Sequence, residues 1–149
     1  MRYQLAQLNI GKAIDAMDSD VMEEFSQGLD PVNEIAENST GFVWRLKDET
    51  GNATELNHFD DPLLLVNMSV WQNVESLKHF MFATHHVHFL KHRKKWFEPD
   101  TEATYVLWWV KQGHIPSIDE AKSRLMMLRE KGDSPDAFTF AKLFAAPNE

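Results

Sequence analysis

Two stretches of this chain read as strands that are apolar on both faces. In "PLLLVNMSVW" (62–71), Leu64, Val66, Met68 and Val70 fall on one side, and Leu63, Leu65, Asn67, Ser69 and Trp71 on the other; "ATYVLWWV" (103–110) is apolar in both registers. A sheet with one wet face shows a clean alternation instead, so strands of this kind need cover above and below. Whatever this chain folds into must bury both sides of a sheet.

The remaining elements set the order. "YQLAQLNI" (3–10) has strand length and ends at Gly11, after which Val21, Met22, Phe25, Leu29, Val32 and Ile35 recur at helical spacing. Asp30 followed by Pro31 suits an N-cap and a first helical position, which predicts a kink or restart there. Gly41 opens "FVWRL", whose Phe42, Trp44 and Leu46 share one face by alternation. Asn73 caps a helix running from Val74 to about Phe97, with a break expected near Thr84, and the strand at 103–110 follows. Ser117 and Glu120 then form a capping box behind Pro116, opening a helix through Ala121, Leu125 and Leu128 to Gly132. The tail "SPDAFTF" adds a short edge strand. With 149 residues, no internal repeat and no low-complexity segment, a single domain over 1–149 is expected.

The order βαββαβ predicts an α+β fold of ferredoxin-like type: a four-stranded antiparallel sheet with both helices on one face, plus an added C-terminal helix and short strand. The other face is then bare. Because the strands are apolar on that side too, its simplest cover is a second copy of the chain, packed sheet to sheet as a homodimer.

Cysteine is absent, which removes disulfides, thiolate nucleophiles and sulfur metal ligands together. The net charge of -8 argues against nucleic-acid binding, whose affinity comes mainly from neutralising phosphates. No run of 18 apolar residues appears, and "MRYQLAQLNIG" mixes polar and apolar residues from the outset, so neither a membrane span nor a secretory leader is expected and a cytoplasmic location is.

The stretch "ATHHVHFLKHRKKWF" (83–97) concentrates histidines and bases. At 100° per residue, Phe89, Leu90, Trp96 and Phe97 define a buried arc that also holds His86 and Arg93, whereas His85, His88 and His92 form a stripe along its border. The stripe has a spacing that imidazoles on one metal ion require, but it carries no H-E-x-x-H, no sulfur and no acid after Glu75, so no metal is expected. The inward pair is open to two readings. Either a carboxylate or carbonyl of the core satisfies Arg93, or it snorkels outward; alternatively, His86 and Arg93 meet an acidic or enolic ligand, with His86 moving a proton. Trp44, Asn67 and Trp109, which alternation turns toward the helices from their strands, are further ligand-binding candidates, with Trp96 and His114. Against these stand plain structural roles: aromatic core, satisfaction of backbone by Asn67, and pinning of the "GHIP" loop by His114.

The segments "AQLNIG", "GFVWRL", "VNMSVWQNVESLKHF", the basic helix ending "KKWF", "LWWVKQGHIPSIDEAKSRLMMLREKG" and "SPDAFTF" together resemble an uncharacterised bacterial family known as a domain of unknown function, within the dimeric α+β barrel superfamily. The resemblance implies the fold, the dimer and a pocket between sheet and helices. It also implies kinship with cofactor-free monooxygenases of the antibiotic-biosynthesis type and with haem-degrading enzymes. Those haem enzymes place an Asn on the first strand, matched by Asn9, and a His ligand on the second helix, for which His88 or His92 would stand. Phe80 sits about where their Trp would be, and the spacing to any His does not match, so no cofactor is expected. The function expected is binding of a small apolar, anionic or enolic molecule, with or without monooxygenase-like chemistry; the alternative is a purely structural dimer.

Overall fold

A computed structural model describes residues 2–12, 19–20, 22–46, 64–83 and 103–147. Its elements are β1 (Tyr3–Lys12), α1 (Glu23–Glu37), β2 (Phe42–Arg45), β3 (Leu64–Trp71), α2 (Val74–Ala83), β4 (Tyr105–Lys111) and α3 (Ile118–Lys131). The strands form one antiparallel sheet in the order β2-β3-β1-β4, giving an α+β fold. β1 is paired on both sides, and it runs past Gly11 because β3 offers Leu65 and Leu64 as partners for Gly11 and Lys12.

Alternation along the strands divides the core in two. On one face Leu5, Trp71 and Leu107 pack beneath Ala36 of α1 and Leu77 and Phe80 of α2, with Val32, Ile35 and Phe42 at the margin. On the other, Ala6, Leu8, Met68, Val70, Val106 and Trp108 pack against Ala121, Leu125 and Leu128 of α3. Those three α3 residues stand four and three apart, which places them on one side of the helix.

The second face is the one the sequence reading left bare for another copy. The chain covers it from within: Met68, Val70, Trp108 and Leu125 are each at most 1% exposed. Burying one leucine stabilises by about 1.5–3 kcal/mol, so lifting α3 to admit a second sheet would forfeit Leu125 and Leu128 at once. The stripe that makes α3 amphipathic packs chiefly over β4 and β1 on this face.

Three local expectations need correction. First, α1 is a single helix through Pro31, with no restart at Asp30. Packing of Val32, Ile35 and Ala36 on the sheet outweighs the roughly 3 kcal/mol that an interior proline costs. Second, Phe42 and Trp44 do not share a face. Phe42 pairs with Trp71 but Trp44 pairs with Val70, so a bulge gives two β2 residues to one step of β3 and turns Trp44 and Leu46 to the α3 side. Third, the tail meets the sheet through one bridge rather than a strand: Leu107 and Phe138 exchange backbone hydrogen bonds of 2.7 and 2.9 Å, and Phe138 is fully buried.

The cap at the start of α3 follows the sequence pattern, with the Ser117 hydroxyl accepting from the Glu120 N–H at 3.0 Å. Gly132 closes the helix at φ 74°, donating its N–H to Leu128 O at 2.8 Å. Gly41 also has positive φ, 86°, and a Cβ there would overlap the Ser76 side chain, so this turn needs glycine for shape and for space. Among the described residues no helix is long and apolar enough to cross a membrane.

Candidate functional site

The sheet face under α1 and α2 is apolar at one end and polar at the other. Leu5, Trp71 and Trp109 lie in register at the first end, Asn9, Asn67 and Tyr105 at the second, and Gln7, Ser69 and Leu107 between them. Within β3, burial falls along this row from Trp71, fully buried, through Ser69 at 7% exposed, to Asn67, which is exposed.

The polar side chains are joined. Gln7, 8% exposed, donates from Nε2 to Asn67 Oδ1 at 2.7 Å and to Ser69 Oγ at 2.8 Å. The Trp71 indole N–H donates to the same Ser69 Oγ at 2.8 Å. A chain of hydrogen bonds therefore runs from a buried indole to an exposed amide, and each link fixes the orientation of the next. Beside it, Arg45 lies opposite Ser69 in β2 and donates from Nε to Glu37 Oε1 of α1 at 2.7 Å, so its charge is balanced by a carboxylate. The Tyr105 hydroxyl accepts from the Phe140 N–H at 3.1 Å.

Of the residues singled out in the sequence, Asn67 stands at the open end of this row. Trp109 shares the face but lies at its apolar end, where its indole donates to Phe144 O at 2.9 Å and its ring packs near Phe138. Trp44 belongs to the opposite face because of the bulge, which corrects the expectation that it looks toward the same helices as Asn67. His114 lies beyond Lys111, the partner of Tyr3, whereas Asn67 is the partner of Asn9. At ~3.3 Å per residue those ends of β1 are roughly 20 Å apart, so His114 does not join Asn67. His86, Arg93 and Trp96, and the stripe His85, His88 and His92, lie outside the described residues.

His114 has a different partner. Its Nε2 meets Glu120 Oε1 at 2.7 Å, and the other oxygen of Glu120 accepts from the indole of fully buried Trp108 at 2.9 Å. Glu120 thus links the loop, the helix start and the core, the structural role that the sequence reading set beside ligand binding. A separate open groove of about 700 Å³ runs between the C-terminal end of α1 and α2, lined by Pro31, Glu34, Ile35, Asn38, Ser39, Thr40 and His79, and shares no residue with the polar row. Among the described residues no three His, Asp or Glu side chains gather as metal ligands would.

Gln7 and Ser69 were missed in the sequence, although a signal existed. On one face, β1 and β3 each carry two polar residues at i and i+2, Gln7 with Asn9 and Asn67 with Ser69. Once β1 and β3 are paired, four polar side chains fall side by side on one face.

Compared with known proteins, the chain is similar in fold to the crystal structure of PA3566 from Pseudomonas aeruginosa, with a TM-score of 0.50 and 11% identity over 76% of this chain and 98% of that one. The crystal structure of NE2512, a protein of unknown function from Nitrosomonas europaea, aligns with a TM-score of 0.47 and 8% identity, covering 77% and 94%. No curated protein matches the chain. A family model described as a domain of unknown function, DUF3291, matches residues 4–149.

Proposed function

The chain belongs to the DUF3291 family, and from that premise we propose that it binds a small molecule on the helix-covered face of its sheet, at the open end of the polar row. The observation that carries this reading is Gln7. Burying an amide among apolar strands costs free energy unless it is hydrogen-bonded, and a leucine at that position would pack the same face without the cost. Here the amide is present, and one of its protons holds the exposed Asn67 in one orientation while the other goes to Ser69 Oγ. A rigid polar group beside an apolar floor is the combination a ligand site requires.

The ligand we propose is apolar with an anionic or enolic group. From the segment after α2, His86 and Arg93 stand seven residues apart in the sequence, a helical spacing that supports placing both on one side, with His86 as proton carrier, Arg93 as anion partner and Trp96 as apolar wall. The order βαββαβ and the strand order β2-β3-β1-β4 support a ferredoxin-like assignment within the dimeric α+β barrel superfamily. On that assignment a cofactor-free, monooxygenase-like reaction is the second reading. The homodimer and the cytoplasmic location belong to the same proposal. The homodimer proposed is the sheet-to-sheet one, and sedimentation at micromolar concentration decides whether the chain pairs at all.

The test is a fragment screen followed by amide and indole resonances in ¹⁵N–¹H spectra. Binding that shifts the Asn67 side-chain amide and the Trp71 indole supports the site; hits confined to the α1–α2 groove or the His114 loop remove it. Oxygen uptake with a bound enolic fragment separates catalysis from binding alone.

A further inference from the structure

Resting on that reading, we infer that the open end of the row recognises its ligand through hydrogen-bond donors, Ser69 Oγ–H and Asn67 Nδ2–H, and that the group it takes is a carboxylate. The inference comes from counting protons. A serine hydroxyl has one donor and two acceptor positions. Both acceptor positions of Ser69 are filled, by Gln7 Nε2 and by Trp71 Nε1, each at 2.8 Å. Its own proton must point elsewhere, and among the described residues nothing accepts it. Ser69 is only 7% exposed, so an idle donor there is expensive.

Asn67 repeats the pattern. Its Oδ1 is occupied by Gln7 at 2.7 Å, which turns the Nδ2 protons away from Gln7, again with no acceptor among the described residues. The two oxygens that fix these donors are bonded by a single nitrogen, which holds the Ser69 and Asn67 side chains next to each other on one sheet face. Donors at both positions select a group that accepts, which a carboxylate oxygen does without bringing a proton of its own. Arg45, the nearby cation in the strand register, is engaged with Glu37, which leaves the proposed Arg93 as one positive charge for one carboxylate. A doubly charged phosphate would be only half neutralised against a chain of net charge -8.

The experiment uses the full chain and three probes of one apolar body: 2-naphthoate, its methyl ester and 2-naphthylmethylamine. Dissociation constants are measured by calorimetry and the site by the Asn67 and Trp71 side-chain resonances. The acid should bind about tenfold tighter than the ester or the amine, the order expected for hydrogen bonds to a charged group. Asn67→Asp keeps the oxygen that Gln7 bonds and replaces the donor with a charge. Because Asn67 is exposed, this variant should fold, lose about thirtyfold or more in affinity for the acid and hold the ester within about threefold. Ser69→Ala should weaken the acid by about tenfold. Equal affinity for acid and ester, or an Asn67→Asp protein that binds the acid as before, overturns the donor assignment while leaving a site in place. Binding of none of the three at the row overturns the site itself.

Discussion

Trp108 donates its indole N–H to Glu120 Oε2 at 2.9 Å, and the other oxygen of that carboxylate meets His114 Nε2 at 2.7 Å. The two contacts differ in energy because they differ in burial. Trp108 is fully buried, whereas the His114 side chain is half exposed. Removing the acceptor with Glu120→Ala leaves a buried indole N–H unpaired and should cost about 1–3 kcal/mol. His114→Ala breaks only a solvent-screened pair and should cost about 1 kcal/mol or less. Glu120→Gln retains an oxygen for Trp108 and should lie between them. Urea unfolding of the three variants gives the order, and a His114→Ala loss equal to that of Glu120→Ala would place the weight in the His114–Glu120 contact instead.

Pro31 sits in the interior of α1 with its side chain exposed, so it removes one backbone hydrogen bond without contributing buried surface. Pro31→Ala should therefore stabilise the protein, by about 1–3 kcal/mol, read as a higher unfolding midpoint. A lower midpoint would mean that the proline shapes the helix in a way the packing of Val32 and Ile35 requires.

Arg93 is the cation proposed to meet the ligand's charge. Arg93→Ala should weaken an acidic ligand by about 1.5–3 kcal/mol, and Arg93→Lys should recover only part, because the planar fork is lost. His88→Ala, on the border stripe of the same sequence stretch, should leave affinity unchanged. Equal losses from Arg93→Ala and His88→Ala would mean that the stretch acts through its summed charge and not through one group.

Much of the fold was legible because it is written in local periodicity. The strands at 62–71 and 103–110, the capping box at Ser117 and the α3 stripe of Ala121, Leu125 and Leu128 each depend on neighbours in sequence. The bulge was not, since "FVWRL" alternates correctly on its own and only pairing with Val70 and Trp71 shows the slip. Pro31 misled for the converse reason: the local preference for a helix start lost to packing on the sheet. At the site, Asn67 was identified from its strand, but Gln7 lies 60 residues away and became its partner only when β1 and β3 were placed side by side. The α3 stripe was legible too, but the face of the sheet it packs on was not, because that depends on where the connection from β4 carries the helix.

The most direct test of the account is a crystal structure of the chain grown with 2-naphthoate. The account predicts the naphthyl group on the helix-covered sheet face and a carboxylate oxygen at about 2.7–3.0 Å from Asn67 Nδ2. A naphthoate seated in the α1–α2 groove beside His79, or at the His114 loop, with Asn67 facing only solvent, would contradict it.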